Sequence, residues 1–95
     1  MNEEDQKEEK LINMGVQAQE LLNLEVFNGT VNAMVDGAFQ ASCNSKAEET
    51  SVRERTYHHY RALVDIVSTL QQRVAIKDEI ITKNDTKNRD NNEEG

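Results

Sequence analysis

The chain has 95 residues, a formal net charge of −7, 36% hydrophobic residues and 4% aromatic residues. This length fits one small domain with a limited hydrophobic core, so we expect self-association to supply part of the buried area. The negative charge repels phosphate backbones at long range and argues against nucleic-acid binding by the chain as a whole.

The single cysteine, Cys43, excludes an internal disulfide, and no second Cys or His lies at a metal-ligand spacing from it. The first ten residues are acidic and polar, without the basic and then apolar segments of a secretory signal. No apolar run approaches the length of a membrane span. We therefore expect an intracellular protein that is not secreted, does not bind a membrane and carries no cofactor or metal.

Three helices are predicted, at about residues 6–22, 25–42 and 48–82. Residues 1–5 precede them as a mobile acidic N-terminus, because they have nothing apolar to bury. The first helix shows the i, i+3/i+4, i+7 spacing of an amphipathic helix, with Leu11, Ile12, Val16, Ala18, Leu21 and Leu22 on its apolar face. Gly15 either allows a neighbouring helix to approach closely or softens this helix, at about 1 kcal/mol relative to Ala.

The second helix carries one apolar stripe, formed by Phe27, Val31, Met34, Val35, Ala38 and Phe39. Gly29 and Gly37 lower its intrinsic helicity, so tertiary packing must hold it. The polar connection that follows, at residues 43–47, is short and therefore predicts that the second and third helices are antiparallel neighbours.

Two starts are compatible with the sequence of the third helix. Ser45 with Glu48 three residues later has the capping-box spacing, and Thr50 or Ser51 would cap a later start. From Glu48 the chain continues for 36 residues without Gly or Pro, and its apolar residues follow an a/d heptad register. Polar Lys77 falls on this apolar face. No apolar residue follows Ile81, so residues 84–95 are predicted to be a disordered, acidic polar tail.

The predicted fold is therefore all-α, an antiparallel helical hairpin with an additional N-terminal helix, in one helical domain at residues 6–83. The second helix is long enough to cover about half of the third. Either the N-terminal helix covers the remainder, or another chain does. We favour an oligomer, because a bare apolar strip typically marks a partner surface.

Two sets of apolar residues follow from this fold. The intramolecular seam is predicted to contain Phe27, Val31, Met34, Val35, Phe39, Tyr60, Leu63, Val64, Val67 and Leu70. The predicted partner surface consists of Val74, Ile76, Ile80 and Ile81.

The residues that could carry out chemistry form no recognisable catalytic arrangement, so we do not expect an enzyme. Consecutive helical residues point about 100° apart, so His58 and His59 cannot bind one metal together, and both are expected at the surface. The Ser, Thr and Asp residues form no nucleophile elbow, P-loop or paired-carboxylate arrangement. Four arginines of the third helix, Arg53, Arg55, Arg61 and Arg73, are candidate contacts for an anionic partner, although the net charge favours a solvated helix flank that pairs with the acidic first half of the chain.

Two short motifs resemble a known class of proteins. The first is Leu21-Leu22-Asn23 followed by Phe27, and the second runs from Arg53-Glu54 through Tyr57 to Ala62-Leu63. Over about residues 21–74 the chain resembles small all-helical proteins that tailed bacteriophages encode near their head and packaging genes. The resemblance implies a viral accessory or assembly protein located in the host bacterial cytoplasm or the virion.

Two functions remain open from the sequence. The first is a non-enzymatic structural or interaction protein of a phage, which self-associates or docks on a larger viral protein through helix packing. The second is a DNA-packaging module similar to a small terminase subunit, with the arginine side of the third helix near the duplex.

Overall fold

The computed structural model describes residues 2–94 of the chain, and the side chains of residues 2–89. Within that range the protein consists of three α-helices, α1 (Glu3–Leu22), α2 (Glu25–Asn44) and α3 (Thr50–Glu94). The all-α fold class is therefore confirmed for the described residues. None of these three helices contains a stretch long and apolar enough to cross a membrane.

The start of α1 lies earlier than predicted because Asn2 caps it. The Asn2 Oδ1 accepts a hydrogen bond from the Asp5 backbone N–H at 2.7 Å, which satisfies one of the free donors of the first turn. Glu3, Glu4 and Asp5 then place negative charge at the positive end of the helix dipole. Residues 3–5 of the predicted mobile N-terminus are consequently helical, and Met1 lies outside the described residues.

The turn between α1 and α2 is held by a side chain from α2. The Asn28 Nδ2 donates to the Leu22 carbonyl oxygen at 2.6 Å, so one of the free carbonyls at the end of α1 is satisfied. Leu24 precedes α2 without a side-chain cap. Helix α2 begins at Glu25 as predicted and ends two residues later than predicted, at Asn44.

The connection from α2 to α3 differs from the predicted capping box at Ser45. Ser45 ends α2 instead, and its Oγ donates to the Ser42 carbonyl oxygen at 2.8 Å. Glu49, not Glu48, supplies the carboxylate of the capping contact, and its Oε1 accepts a hydrogen bond from the Lys46 backbone N–H at 3.0 Å. Arg53 donates to the Lys46 carbonyl oxygen at 2.6 Å. Helix α3 begins at Thr50, so Thr50 and Ser51, the predicted caps of a later start, lie within the helix.

Helix α3 continues well beyond its predicted end at about residue 82. Residues 84–94, predicted to be a disordered tail, belong to α3 in the structure, and Gly95 lies outside the described residues. This segment has no Gly or Pro that would stop a helix. Asp85 and Arg89 are four residues apart in the order that stabilises a helix.

The residues group into two compact units. The α1 unit contains Met1–Leu21 together with the part of α3 from Leu70 onward, and the α2 unit contains Leu22–Thr69. The core of each is small. Among the described residues, Ala18 and Lys77 are buried in the α1 unit and Ala38 and Leu63 in the α2 unit, besides Gly15, and no large side chain is fully enclosed.

Candidate interaction surfaces

Gly15 is the point of closest approach between α1 and α3 within the α1 unit. A Cβ atom added at this position would lie 2.7 Å from the Arg73 carbonyl oxygen and would overlap the Lys77 Cβ. Real Cβ atoms do not tolerate such distances. Of the two roles that the sequence allows for Gly15, the structure therefore supports close packing of a neighbouring helix.

Lys77 lies on the inner face of α3, as its heptad position predicts, and is only 8% exposed. Its Nζ donates to the Gln19 Oε1 on α1 and lies 3.3 Å from the Asp78 Oδ1. Because the Asp78 side chain is 64% exposed, solvent screens that ion pair and it adds little stability. The aliphatic part of Lys77 packs over Gly15, so we infer that Lys77 contributes mainly through its methylene groups.

Substitutions at Lys77 separate the two contributions of its side chain. We expect Lys77→Ala to lower the free energy of unfolding by about 1–3 kcal/mol, because it leaves a gap over Gly15. Lys77→Met keeps an unbranched side chain and should stay within about 1 kcal/mol of the wild type, because loss of the ammonium also removes its desolvation cost. Urea denaturation followed by circular dichroism measures both. Equal losses in the two variants would show that the ammonium, not the stem, is the important part.

Toward the start of α1 the two helices border an open groove of about 630 Å³. Leu11, Ile76 and Ile80 supply its apolar floor. Its charged rim consists of Glu3, Glu4, Lys7, Glu8, Glu79 and Lys83. We call this feature the acidic groove.

The predicted partner surface lies in the same unit as α1. Val74 and Ile80 are half-buried, whereas Ile76 is 41% and Ile81 40% exposed. Helix α1 packs on this part of α3 through Gly15 and Gln19, which is one of the two arrangements that the sequence leaves open. Self-association of the chain stays a prediction.

The residues of the predicted seam are distributed unevenly by burial. Nine of them lie in the α2 unit, and Leu70 lies in the α1 unit. Leu63 on α3 and Ala38 on α2 are both buried, each at 7% exposure. The half-buried members are Phe27, Val31, Val35, Val64, Val67 and Leu70. The exposed members are Met34, Phe39 and Tyr60.

Phe39 and Tyr60 border a cleft of about 240 Å³ in the α2 unit. The cleft is also lined by Ala38, Ser42, Thr56 and Tyr57. Phe39 remains 61% exposed and Tyr57 59% exposed. Aromatic side chains bury large areas on contact, so this cleft adds to the uncovered apolar surface of the α2 unit.

Helix α2 has a second apolar side that the sequence analysis did not identify. Its members recur at i, i+4, i+7, i+8, i+11 and i+15, so they share one side of the helix. We call this side the outer face of α2, which consists of Val26, Thr30, Ala33, Met34, Gly37 and Ala41. All six residues are exposed, none is charged, and nothing lies within 4 Å of the position of a Cβ at Gly37. In the sequence, this side is indicated only by the small and apolar residues Val26, Ala33, Gly37 and Ala41, which alternate with the residues of the predicted stripe.

The remaining candidate groups lie at the surface or serve local structure. His58, His59 and Cys43 are exposed. Arg53 donates to the carbonyl oxygens of the connection before α3, and the Arg61 Nε lies 3.5 Å from the Asp65 Oδ1. No group of three or more His, Cys, Asp or Glu side chains that could hold a metal occurs in the part of the chain that the structure describes.

No protein-family model, curated protein or solved structure matches this chain. The surfaces described above are therefore the basis for a functional proposal.

Proposed function

We propose that the chain is a non-enzymatic helical interaction protein that self-associates through the outer face of α2 and acts in the assembly of a tailed bacteriophage. In this proposal α2 and the first half of α3 form an antiparallel hairpin whose inner face is centred on Leu63. The motif resemblance over residues 21–74 supports the viral role, and with it a location in the host bacterial cytoplasm or the virion.

The uncovered apolar surface is the observation that supports self-association most directly. Among the residues that the structure describes, ten large hydrophobic side chains are exposed, and seven of them lie in the α2 unit. Two of the seven, Val26 at 81% and Met34 at 43% exposure, belong to the outer face of α2. Exposed apolar surface of this kind typically marks a contact with a partner.

The absence of charge from the outer face of α2 is compatible with a second copy of the chain as its occupant. The α2 unit holds six acidic and four basic residues, a net charge of −2, while the α1 unit carries −5. When two copies meet through a face without charges, the like-charge repulsion between them is small. Ala33 and Gly37 at the centre of the face allow two helix backbones to approach closely.

Ala33→Glu tests the outer face directly, with Asn32→Glu as a matched control on another side of α2. Ala33→Glu brings two carboxylates together in the proposed interface and should reduce the mass from light scattering toward the 10.8 kDa of one chain. Asn32→Glu adds the same charge outside the face and should leave the wild-type mass unchanged. Both residues are exposed, so the helical circular-dichroism signal should persist in both variants.

Two results would contradict self-association through this face. One is a wild-type mass of a single chain at every protein concentration. The other is the same mass in the Ala33→Glu and Asn32→Glu variants.

The DNA-packaging alternative draws less support from the structure. Of its four candidate arginines, Arg53 hydrogen-bonds to the connection before α3 and Arg61 pairs with Asp65. Both guanidinium groups would have to exchange these contacts for phosphates. The net charge of −7 opposes such an exchange at long range.

A further inference from the structure

We propose that the acidic groove of the α1 unit binds a basic amphipathic helix of a protein partner. The apolar side chains of that helix would occupy the floor, and its Lys or Arg side chains would reach the carboxylates of the rim. This surface lies in a different unit from the outer face of α2, and the proposal does not depend on self-association.

The groove has a structural origin in the sequence of α1. The side of α1 that faces α3 has small residues at Gly15 and Ala18, where the helices are in close contact. One to three turns earlier the same side carries Leu11, Glu8 and Glu4, which are much larger. Interhelical distance follows the size of the side chains at the contact. The helices therefore leave a groove at this end of the unit.

The floor of the groove offers apolar contacts that α1 leaves uncovered. Ile76 and Ile80 are one helical turn apart on α3, so they lie on the same side. Ile76 remains 41% exposed, while Leu11 and Ile80 are half-buried. A helix that lies in a groove uses apolar residues at i, i+3/i+4 and i+7 as anchors, and Leu11, Ile76 and Ile80 offer such anchors an apolar contact surface.

The rim selects a basic occupant. It carries four carboxylates and two ammonium groups, for a net charge of −2, within a unit of −5. Glu3 and Glu4 also complement the dipole of α1, and Glu79 is four residues before Lys83 in the order that stabilises a helix, whereas Glu8 has neither role. The rim would repel an acidic segment. Lys and Arg suit the site because their aliphatic stems cover apolar surface while their charged ends reach the rim.

The test uses a labelled synthetic helix with leucine on one side and lysine on the other, and fluorescence anisotropy as the measurement. A peptide with glutamate in place of lysine is the charge control. We expect the lysine peptide to bind the full-length chain, more weakly as salt is raised, and the glutamate peptide to show no binding.

Two pairs of variants separate the groove from general attraction to an acidic protein. Glu4→Gln with Glu79→Gln changes the rim, and Glu9→Gln with Glu20→Gln makes the same change in net charge on the opposite side of α1. We expect the rim variant to weaken peptide binding at least about tenfold and the control by less than about twofold. On α3, Ile76→Ser should weaken binding, while Ile81→Ser, at nearly equal exposure but outside the groove, should not.

Each outcome decides the proposal. Equal losses in the rim and control variants, equal effects of Ile76→Ser and Ile81→Ser, or no binding of the lysine peptide at low salt would overturn it. The groove variants should keep the wild-type mass in light scattering, and Ala33→Glu should keep the wild-type affinity for the peptide. A failure of the groove is therefore distinguishable from a failure of self-association.

Discussion

Leu63→Ala should lower the free energy of unfolding by about 2–4 kcal/mol, the cost of a lost core side chain plus the cavity that remains. Leu63 is 7% exposed and is the only large hydrophobic residue among the buried residues of the α2 unit that the structure describes. Because a chain of this size is stable by roughly 5–14 kcal/mol in total, the loss is a large share of its stability. Urea denaturation monitored by circular dichroism provides the measurement.

Ile66→Ala is the matched control for Leu63→Ala. Ile66 lies three residues later in the same helix but is 50% exposed, so its truncation removes little buried area. We expect a loss of less than about 1 kcal/mol. Similar losses at both positions would show that Leu63 is not the centre of the core of the α2 unit.

Gly15→Ala should destabilise the protein although alanine is the better helix former. The change contributes about 1 kcal/mol in helix propensity. That gain is outweighed by the overlap of the new methyl group with Lys77 and by its 2.7 Å approach to the Arg73 carbonyl oxygen. Relief of this overpacking requires α1 and α3 to move apart, so we expect a net loss of about 1–3 kcal/mol.

Gly29→Ala should change the free energy of unfolding in the opposite direction from Gly15→Ala. Nothing lies within 4 Å of the position of a Cβ at Gly29, which is also in the interior of a helix. Alanine there should stabilise the protein by up to about 1 kcal/mol. If Gly15→Ala also stabilised the protein, the close contact of α1 with α3 would be contradicted.

The helical content of the protein is predictable from sequence because it depends on local spacing. Apolar residues at helical intervals and the absence of proline predict three helices, and the start of α2 at Glu25 agrees with the prediction. The ends of the helices are less predictable. Asn2 and Glu49 decide two of them through single side-chain hydrogen bonds for which neighbouring residues were equally good candidates.

The candidate surfaces were only partly predictable. The seam prediction treated all apolar residues of the stripe alike, but a helix can bury only one side against one neighbour. Phe39 and Met34 lie at the edges of the buried side of α2 and are exposed, whereas Ala38 near its centre is buried. The outer face of α2 was missed because its small residues give a weak hydrophobic signal.

The heptad pattern alone was sufficient to mark Lys77 as a polar residue on an apolar face, because side-chain direction along a helix follows from residue number. Its partner could not be found in this way, since Gln19 is 58 residues away and no local rule connects the two positions. The same holds for the role of Gly15 and for the acidic groove. Both depend on which side chains of α1 oppose α3, and only the packing of the two helices decides that.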